Sequence, residues 1–152
     1  MNKKIMIRAA TSADFSELKK VLENTHSDWS PAVLSECLSS DYFVWVIGDL
    51  NRVMGFIVAK HNVDFWEILQ IVIDQSYQRR GLASQLLKFL IMEARQKQIQ
   101  KIELEVRASN FAAITLYEKM GFVRVGVRKK YYSNGEDAVL MDYILNGSEN
   151  AF

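Results

Sequence analysis

Cysteine and histidine are scarce in this chain of 152 residues, which contains Cys37, His26 and His61 and no others of either type. One cysteine cannot form an internal disulfide, and this set offers no basis for a cysteine- or histidine-built metal site. The two histidines are expected at the surface or at the rim of a site. No apolar run reaches the roughly 20 residues of a membrane-spanning helix. The basic segment 1–5 is not followed by the apolar core of a signal peptide. We therefore expect a cytoplasmic protein, and from the cysteine and histidine counts we expect no bound metal.

Charge of one sign is not in excess either, because 19 Lys and Arg balance 18 Asp and Glu to a net charge of +1. The basic surplus of a nucleic-acid-binding protein is therefore missing, and neither nucleic acid nor a membrane is an expected partner. Apolar residues make up 49% and charged residues 24%, which is typical of a globular domain. We expect a single domain over residues 1–145, followed by a polar tail at 146–152.

Hydrophobic periodicity and turn residues divide the chain into alternating strands and helices. Strands are predicted near residues 5–8, 42–47, 53–60, 65–73, 101–107, 122–132 and 137–145, and helices over 11–25, 31–38, 79–98 and 111–120. The strand–helix–strand order around the third helix predicts a parallel crossover, and Asn134-Gly135 predicts a tight hairpin near the end of the chain. The expected fold is α+β, with a mixed, mostly antiparallel sheet of about seven strands, a central parallel crossover and helices on both faces.

The most informative segment, 69–83, is a β-branched strand that ends at Asp74 and leads through a polar turn into a helix. At the start of a helix the first N–H groups lack partners and the helix dipole favours an anion. Gly81 keeps the backbone accessible, and Arg79 and Arg80 add two cations. An ordinary corner with solvated arginines explains these residues equally well, but the chain that follows favours a phosphate site.

Two residues of the following segment are candidates for acid–base chemistry. Strand 101–107 alternates apolar and charged residues, which a half-buried strand with a solvated face also explains. A charged face on a central strand beside an anion site favours a cleft, and this makes Glu105 a candidate general base, with Glu67 on the neighbouring strand as the alternative. Tyr117 is a core tyrosine by spacing alone, but near a carboxylate and a phosphate site it is a candidate general acid.

Trp29, in the break between the first two predicted helices, is either a lid over the core or the wall of a cleft, with a slight preference for the cleft.

The segment Gln78-Arg79-Arg80-Gly81-Leu82-Ala83, with the element order, resembles the GNAT family of N-acetyltransferases. That family carries Gln/Arg-x-x-Gly-x-Gly/Ala at the start of the helix that binds the pyrophosphate of coenzyme A. The resemblance extends from the strand at Ile5 to about Leu145. Further segments resemble the ribosomal-protein-alanine N-acetyltransferases within that family: Leu104 to Asn110, Ala113-Ile114, Leu116-Tyr117-Glu118, Gly121-Phe122, Tyr131-Tyr132 and Glu136-Asp137-Ala138.

The resemblance implies acetyl-CoA as a cosubstrate, no metal, and the N-terminal alanine of a small-subunit ribosomal protein as the acceptor. It implies that Glu105 is the general base and that Tyr117 protonates the departing thiolate. It also implies contacts to coenzyme A from the backbone of Ile71, Val72 and Ile73, from the turn residues Arg79, Arg80, Gly81, Leu82, Ala83 and Ser84, and from Asn110.

The sequence departs from the family pattern at a few positions. Gln75 replaces a common proline, and Ala83 replaces the second glycine of the motif; neither change damages the site. The loop 27–30 only partly resembles the corresponding substrate loop, so the acceptor has weaker support than the cosubstrate.

Two other functions remain open from the sequence. An enzyme of the same fold can acetylate a small amine, such as a polyamine, an amino sugar or an amino acid. A coenzyme A-binding regulator without turnover is the third possibility. The presence of both Glu105 and Tyr117 argues against the regulator, because a sensor does not need a general acid and a general base.

Overall fold

The computed structural model describes residues 4–25, 27–38 and 41–145, so His26 and the predicted tail at 146–152 lie outside the described residues. The strands are β1 (Met6–Ala9), β2 (Tyr42–Asp49), β3 (Arg52–His61), β4 (Phe65–Ile73), β5 (Lys101–Arg107), β6 (Val123–Arg128) and β7 (Ala138–Ile144). The helices are α1 (Phe15–Glu23), α2 (Pro31–Leu38), α3 (Leu82–Gln96) and α4 (Phe111–Met120). In the described part of the chain, no helix combines the length and apolar character needed to cross a membrane.

The seven strands are hydrogen-bonded in the order β1-β2-β3-β4-β5-β7-β6. β1 with β2, β2 with β3, β5 with β7 and β6 with β7 are antiparallel pairs. β4 and β5 are parallel, from Phe65 opposite Lys101 to Ile68 opposite Leu104, and α3 connects them. The predicted α+β class, the strand number and the parallel crossover are therefore confirmed.

Contacts within the chain define two compact units. The first contains the chain up to His61 together with Leu69–Phe89, and the second contains Asn62–Ile68 and the chain from Leu90 onward. The single domain expected over 1–145 stays a prediction.

In the first unit, α1 and α2 present apolar faces to a core that β2 and β3 share. This core contains Leu18, Val21, Leu22, Leu34, Cys37, Val44, Val46, Phe56, Val58 and Val72. Ser30 caps α2 as predicted, since its hydroxyl oxygen accepts a hydrogen bond from the Val33 N–H at 3.3 Å and Pro31 takes the first helical position. Trp29 packs half-buried against this core, as the lid interpretation expects.

In the second unit, α4 is fixed at both ends by the residues that the sequence predicts. The Asn110 side-chain oxygen accepts a hydrogen bond from the Ala113 N–H at 3.2 Å. Gly121 ends the helix with φ +113°, and a Cβ at this position would lie 2.9 Å from Cε2 of Tyr143. Only glycine therefore fits this helix end, both by its backbone conformation and by the space available.

Several predicted boundaries are wrong. Helix α1 begins at Phe15 and not at residue 11, because Ser12–Asp14 form a separate 3-10 turn before it. Helix α3 begins at Leu82 and not at Arg79, because Arg79 and Gly81 have positive φ values of +65° and +78° and form a turn before the helix. β6 ends at Arg128 and not near residue 132.

The residues Asn134-Gly135 do not form the tight hairpin that was predicted. They lie in a local turn inside the loop 129–137, in which the Gly135 N–H donates to the Tyr132 carbonyl at 2.8 Å. The Lys130 N–H donates to the Asp137 carboxylate at 2.9 Å, which brings the two ends of this loop together. The hairpin between β6 and β7 thus carries an ordered loop in place of a two-residue turn.

Candidate active site

The turn that precedes α3, residues 78–81, is held to the end of β4 in the first unit. Asp74 accepts hydrogen bonds from the Ser76 N–H at 2.9 Å and from the Asn24 side chain at 2.8 Å. The Gln78 side-chain amide donates to the Ile73 carbonyl at 3.1 Å. These contacts fix the backbone between the strand and the helix, so the turn keeps a defined shape.

The backbone of this turn has the geometry of an anion site. Arg79 is a non-glycine residue with φ +65°, a conformation that costs energy and is concentrated at functional sites. The first helical hydrogen bond of α3 joins the Gln85 N–H to the Gly81 carbonyl at 3.1 Å. The N–H groups of the helical residues before Gln85 therefore have no acceptor within the helix. A Cβ added to Gly81 would meet nothing within 4 Å, so the space over the turn is open. Backbone N–H groups around open space at a helix start suit a phosphate group.

Arg79 and Arg80 belong to this turn, and Arg52 lies beside Tyr77, the residue that precedes it. Arg52 donates a hydrogen bond to the Tyr77 hydroxyl, and the Arg80 guanidinium lies 5.3 Å from the centre of the Tyr77 ring. Neither Arg79 nor Arg80 forms a salt bridge among the described residues, and both are exposed. The two cations that the sequence predicted are therefore available to an anionic ligand of the first unit.

In the second unit, β5 buries its apolar residues and directs its charged residues to the other face, as the alternation predicts. That face forms part of a pocket of about 190 Å³, called here the β5 pocket. It is lined by Glu67, Lys101, Glu103, Leu104, Glu105, Val125, Arg128, Leu140 and Asp142. The candidate base and its alternative, Glu67, thus line the same pocket.

Glu105 is half-buried in the β5 pocket and is held by two neighbours. Its Oε1 atom lies 3.1 Å from Nε of Arg128, and the exposed fraction of the Glu105 side chain is 22%. The Tyr131 hydroxyl forms a hydrogen bond with the Glu105 carboxylate, whose negative charge raises the pKa of Tyr131. The carboxylate therefore has a defined environment of one cation and one hydroxyl.

Two other carboxylates of the pocket share a single cation. Lys101 lies 2.9 Å from Glu103 and 3.6 Å from Asp142. The hydrogen bond with Glu103 raises the pKa of Lys101, and burial raises the pKa of Asp142. Glu103 and Asp142 are thus engaged with Lys101, whereas Glu105 interacts with residues of β6 and the loop after it.

Tyr117 lies on α4, where its ring packs against Phe122 with 5.7 Å between the ring centres. Burial raises the pKa of Tyr117 to about 12. A phenol with this pKa keeps its proton at neutral pH, so it can donate a proton and cannot act as a base. This is the protonation state that the predicted general acid requires.

The loop 129–137, which carries Tyr131, is attached to the chain between β5 and α4. Glu136 accepts hydrogen bonds from the Ser109 N–H at 2.8 Å and the Ser109 hydroxyl at 2.5 Å, and these bonds lower the pKa of Glu136. The Arg107 guanidinium lies 4.0 Å from the centre of the Tyr132 ring. These contacts hold the loop at the end of β5, the strand that contains Glu105.

The candidate residues divide between the units as follows. The first unit contains Ile71, Val72 and Ile73 of β4 and the segment 79–84, which spans the turn and the first residues of α3. The second unit contains Glu105, Asn110 and Tyr117. Sequence reasoning missed Arg128, which contacts the candidate base. Among the described residues, no group of three His, Cys, Asp or Glu side chains is arranged to hold a metal ion.

Comparisons with known proteins give a consistent result. The family model described as the acetyltransferase (GNAT) family matches residues 6–122. The ribosomal protein bS18-alanine N-acetyltransferase of Haemophilus influenzae is 34% identical over 141 residues, which cover 90% of this chain and 96% of the relative. The crystal structure of the ribosomal-protein-S18-alanine N-acetyltransferase from Escherichia coli matches with a TM-score of 0.88 and 29% identity, over 98% of this chain and 99% of that one. A NatC complex solved with Gag peptide and CoA matches with a TM-score of 0.79 and 25% identity, over 94% and 99% of the two chains.

Proposed function

The chain belongs to the acetyltransferase (GNAT) family, and we propose that it acetylates the N-terminal alanine of a small-subunit ribosomal protein. It is a protein N-α-acetyltransferase that uses acetyl-CoA. The proposed ribosomal acceptor is supported by the similarity to bS18-alanine N-acetyltransferases in both sequence and structure over nearly the whole chain. An acceptor of this kind is made and assembled in the cytoplasm, which is where we propose that the enzyme acts.

Acetyl-CoA supplies the acetyl group as a reactive thioester. The open space over Gly81 and the N–H groups at the start of α3 support a role for residues 79–84 in holding its pyrophosphate. Arg79 and Arg80 add charge-assisted contacts to the same phosphates. We assign the backbone of Ile71–Ile73 to the acetyl and pantetheine part. Asn110 uses its side-chain oxygen to cap α4, so its amide nitrogen is the group that remains to donate to the cosubstrate.

Replacing Gly81 by alanine tests this assignment. Alanine at φ +78° is strained by about 1–2 kcal/mol, and its Cβ would enter the open space over the turn. We expect acetyl-CoA to bind about tenfold more weakly, as measured by calorimetric titration. Gly135→Ala is the matched control, because Gly135 has φ +84° and is also open around its Cβ. Both variants should lose similar thermal stability, and equal acetyl-CoA affinity in the two would contradict the assignment.

Two residues of the second unit carry the proton transfers in this proposal. Glu105 accepts the proton that the acceptor amine loses, directly or through a water molecule, and Tyr117 donates a proton to the departing thiolate. An N-terminal amine has a pKa of about 7.7–8.0 and a lysine amine about 10.4, a difference worth ~3.4 kcal/mol in deprotonation. A single carboxylate such as Glu105 is therefore better suited to an N-terminal acceptor than to lysine.

The proposed acceptor is tested by measuring thiol release from acetyl-CoA with a panel of acceptors. The panel contains a peptide beginning with alanine from a small-subunit ribosomal protein, the same peptide with a blocked N-terminus, and small amines. We expect release only with the free alanine peptide. Release only with a small amine would support the acetyltransferase activity but contradict the proposed peptide acceptor.

A further inference from the structure

β6 contains an extra residue relative to its partner β7. Arg124 lies opposite Met141 and Gly126 lies opposite Leu140, so Val125 has no partner of its own in β7 and forms a bulge. Successive side chains of a strand point to opposite faces, and one extra residue reverses this alternation. Residues after the bulge therefore face the opposite side from the one that the sequence alternation alone would give them.

The bulge determines which face Arg128 occupies. Leu140 of β7 lies opposite Glu105 of β5, so these two residues share the face that lines the β5 pocket. Arg128 lies opposite Ala138, two positions from Leu140, and is thus on the same face. A regular strand would place Arg128 on the same face as Arg124, which is opposite Met141. β-Bulges commonly redirect a side chain next to an active site.

The contact between Arg128 and Glu105 restricts the position of the Glu105 carboxylate and adds little to folding stability. Nε of Arg128 lies 3.1 Å from Oε1 of Glu105, and the exposed fractions of the two side chains are 55% and 22%. Ion pairs this exposed contribute little to folding stability, because water screens them. A glutamate side chain has three rotatable bonds, however, and a fixed guanidinium restricts the positions of its carboxylate. The pair therefore limits where the Glu105 carboxylate can lie.

We infer that Arg128 is a positioning residue for the acetyl transfer, which holds the Glu105 carboxylate in the β5 pocket where it receives the acceptor's proton. This inference rests on the proposed function. A carboxylate can accept about four hydrogen bonds, so the contacts from Arg128 and Tyr131 leave it able to take the proton. The other cation of the pocket, Lys101, is engaged by Glu103 and does not replace Arg128.

Replacing Arg128 by glutamine should lower kcat about tenfold, because the base is no longer confined to a productive position. The KM for acetyl-CoA and the thermal stability should stay unchanged. Arg128→Lys should recover most of the activity, since lysine restores the cation. Arg124→Gln is the matched control: Arg124 is an arginine of the same strand, on the other face, and it contacts Glu118 at 3.3 Å. An unchanged kcat in Arg128→Gln, or an equal loss in Arg124→Gln, would overturn the inference.

A double-mutant cycle tests whether Arg128 acts through Glu105. In the Glu105→Gln background, removal of the arginine should have no further effect on kcat. An equal loss in both backgrounds would show that Arg128 acts independently and would overturn the inference.

A crystal structure of Arg128→Gln gives a readout that does not depend on turnover. We expect the Glu105 carboxylate to leave its present position, and an unchanged position would contradict the inference even if the protein released thiol. Absence of thiol release in the unmodified protein would instead count against the proposed function.

Discussion

Replacing Glu105 by glutamine is expected to lower kcat by a factor of about 10²–10⁴, with nearly unchanged affinity for acetyl-CoA. Glutamine has almost the shape of glutamate but cannot take a proton from the amine. Its oxygen can still accept hydrogen bonds from Arg128 and Tyr131, so the packing of the pocket should be kept. The loss therefore isolates the proton-accepting role from the structural one.

The measurement is the rate of thiol release at saturating acetyl-CoA and acceptor, together with the dissociation constant for acetyl-CoA. Glu103→Gln is the matched control, because Glu103 lies on the same face of β5 but is paired with Lys101 at 2.9 Å. We expect the control to stay within about threefold of the unmodified enzyme, as for a surface ion pair. Equal turnover of Glu105→Gln and the unmodified enzyme would remove Glu105 from the role of base. A loss in Glu67→Gln instead would assign that role to Glu67.

Replacing Tyr117 by phenylalanine should slow turnover about 10²-fold when departure of the thiolate limits the rate. The ring contact with Phe122 is retained in this variant, so folding stability should change little. The pKa of Tyr117 is raised to about 12, and the phenol therefore stays protonated between pH 7 and 10. The unmodified enzyme should show no loss of rate from Tyr117 ionisation in this range, since such a loss begins only as the pH approaches the raised pKa.

Tyr143→Phe is the matched control for Tyr117→Phe. Tyr143 also packs against Phe122, with 5.4 Å between ring centres, and its hydroxyl lies 3.4 Å from the Arg95 guanidinium. Removing this hydroxyl should leave kcat unchanged. A similar loss in both tyrosine variants would assign the effect to packing around Phe122, and unchanged rates for Tyr117→Phe across the pH range would exclude Tyr117 as the acid.

Local chemistry made much of this fold predictable. β4 and β5 have the predicted bounds, because β-branched runs and strict alternation mark them clearly. Asn110 and Gly121 mark the ends of α4 through cap chemistry that depends on adjacent residues only. The parallel crossover followed from the order of these elements.

The features that complete the β5 pocket were not predictable in the same way. The bulge at Val125 depends on the pairing of β6 with β7, and a regular alternation assigns Arg128 to the wrong face. Asn134-Gly135 gave a strong local hairpin signal, but the bonds between Ser109 and Glu136 support a longer loop. These features depend on contacts between segments far apart in the sequence, which periodicity and turn preferences do not record.

The assignment of the acceptor is tested most directly by finding the atom that carries the acetyl group after the reaction. The enzyme is incubated with acetyl-CoA and a peptide that begins with alanine and also contains a lysine, and the product is fragmented in a mass spectrometer. We expect one acetyl group, on the α-amine of the alanine, and none on the lysine. An acetyl group on the lysine side chain, or an unmodified peptide together with an acetylated small amine, would contradict the assignment.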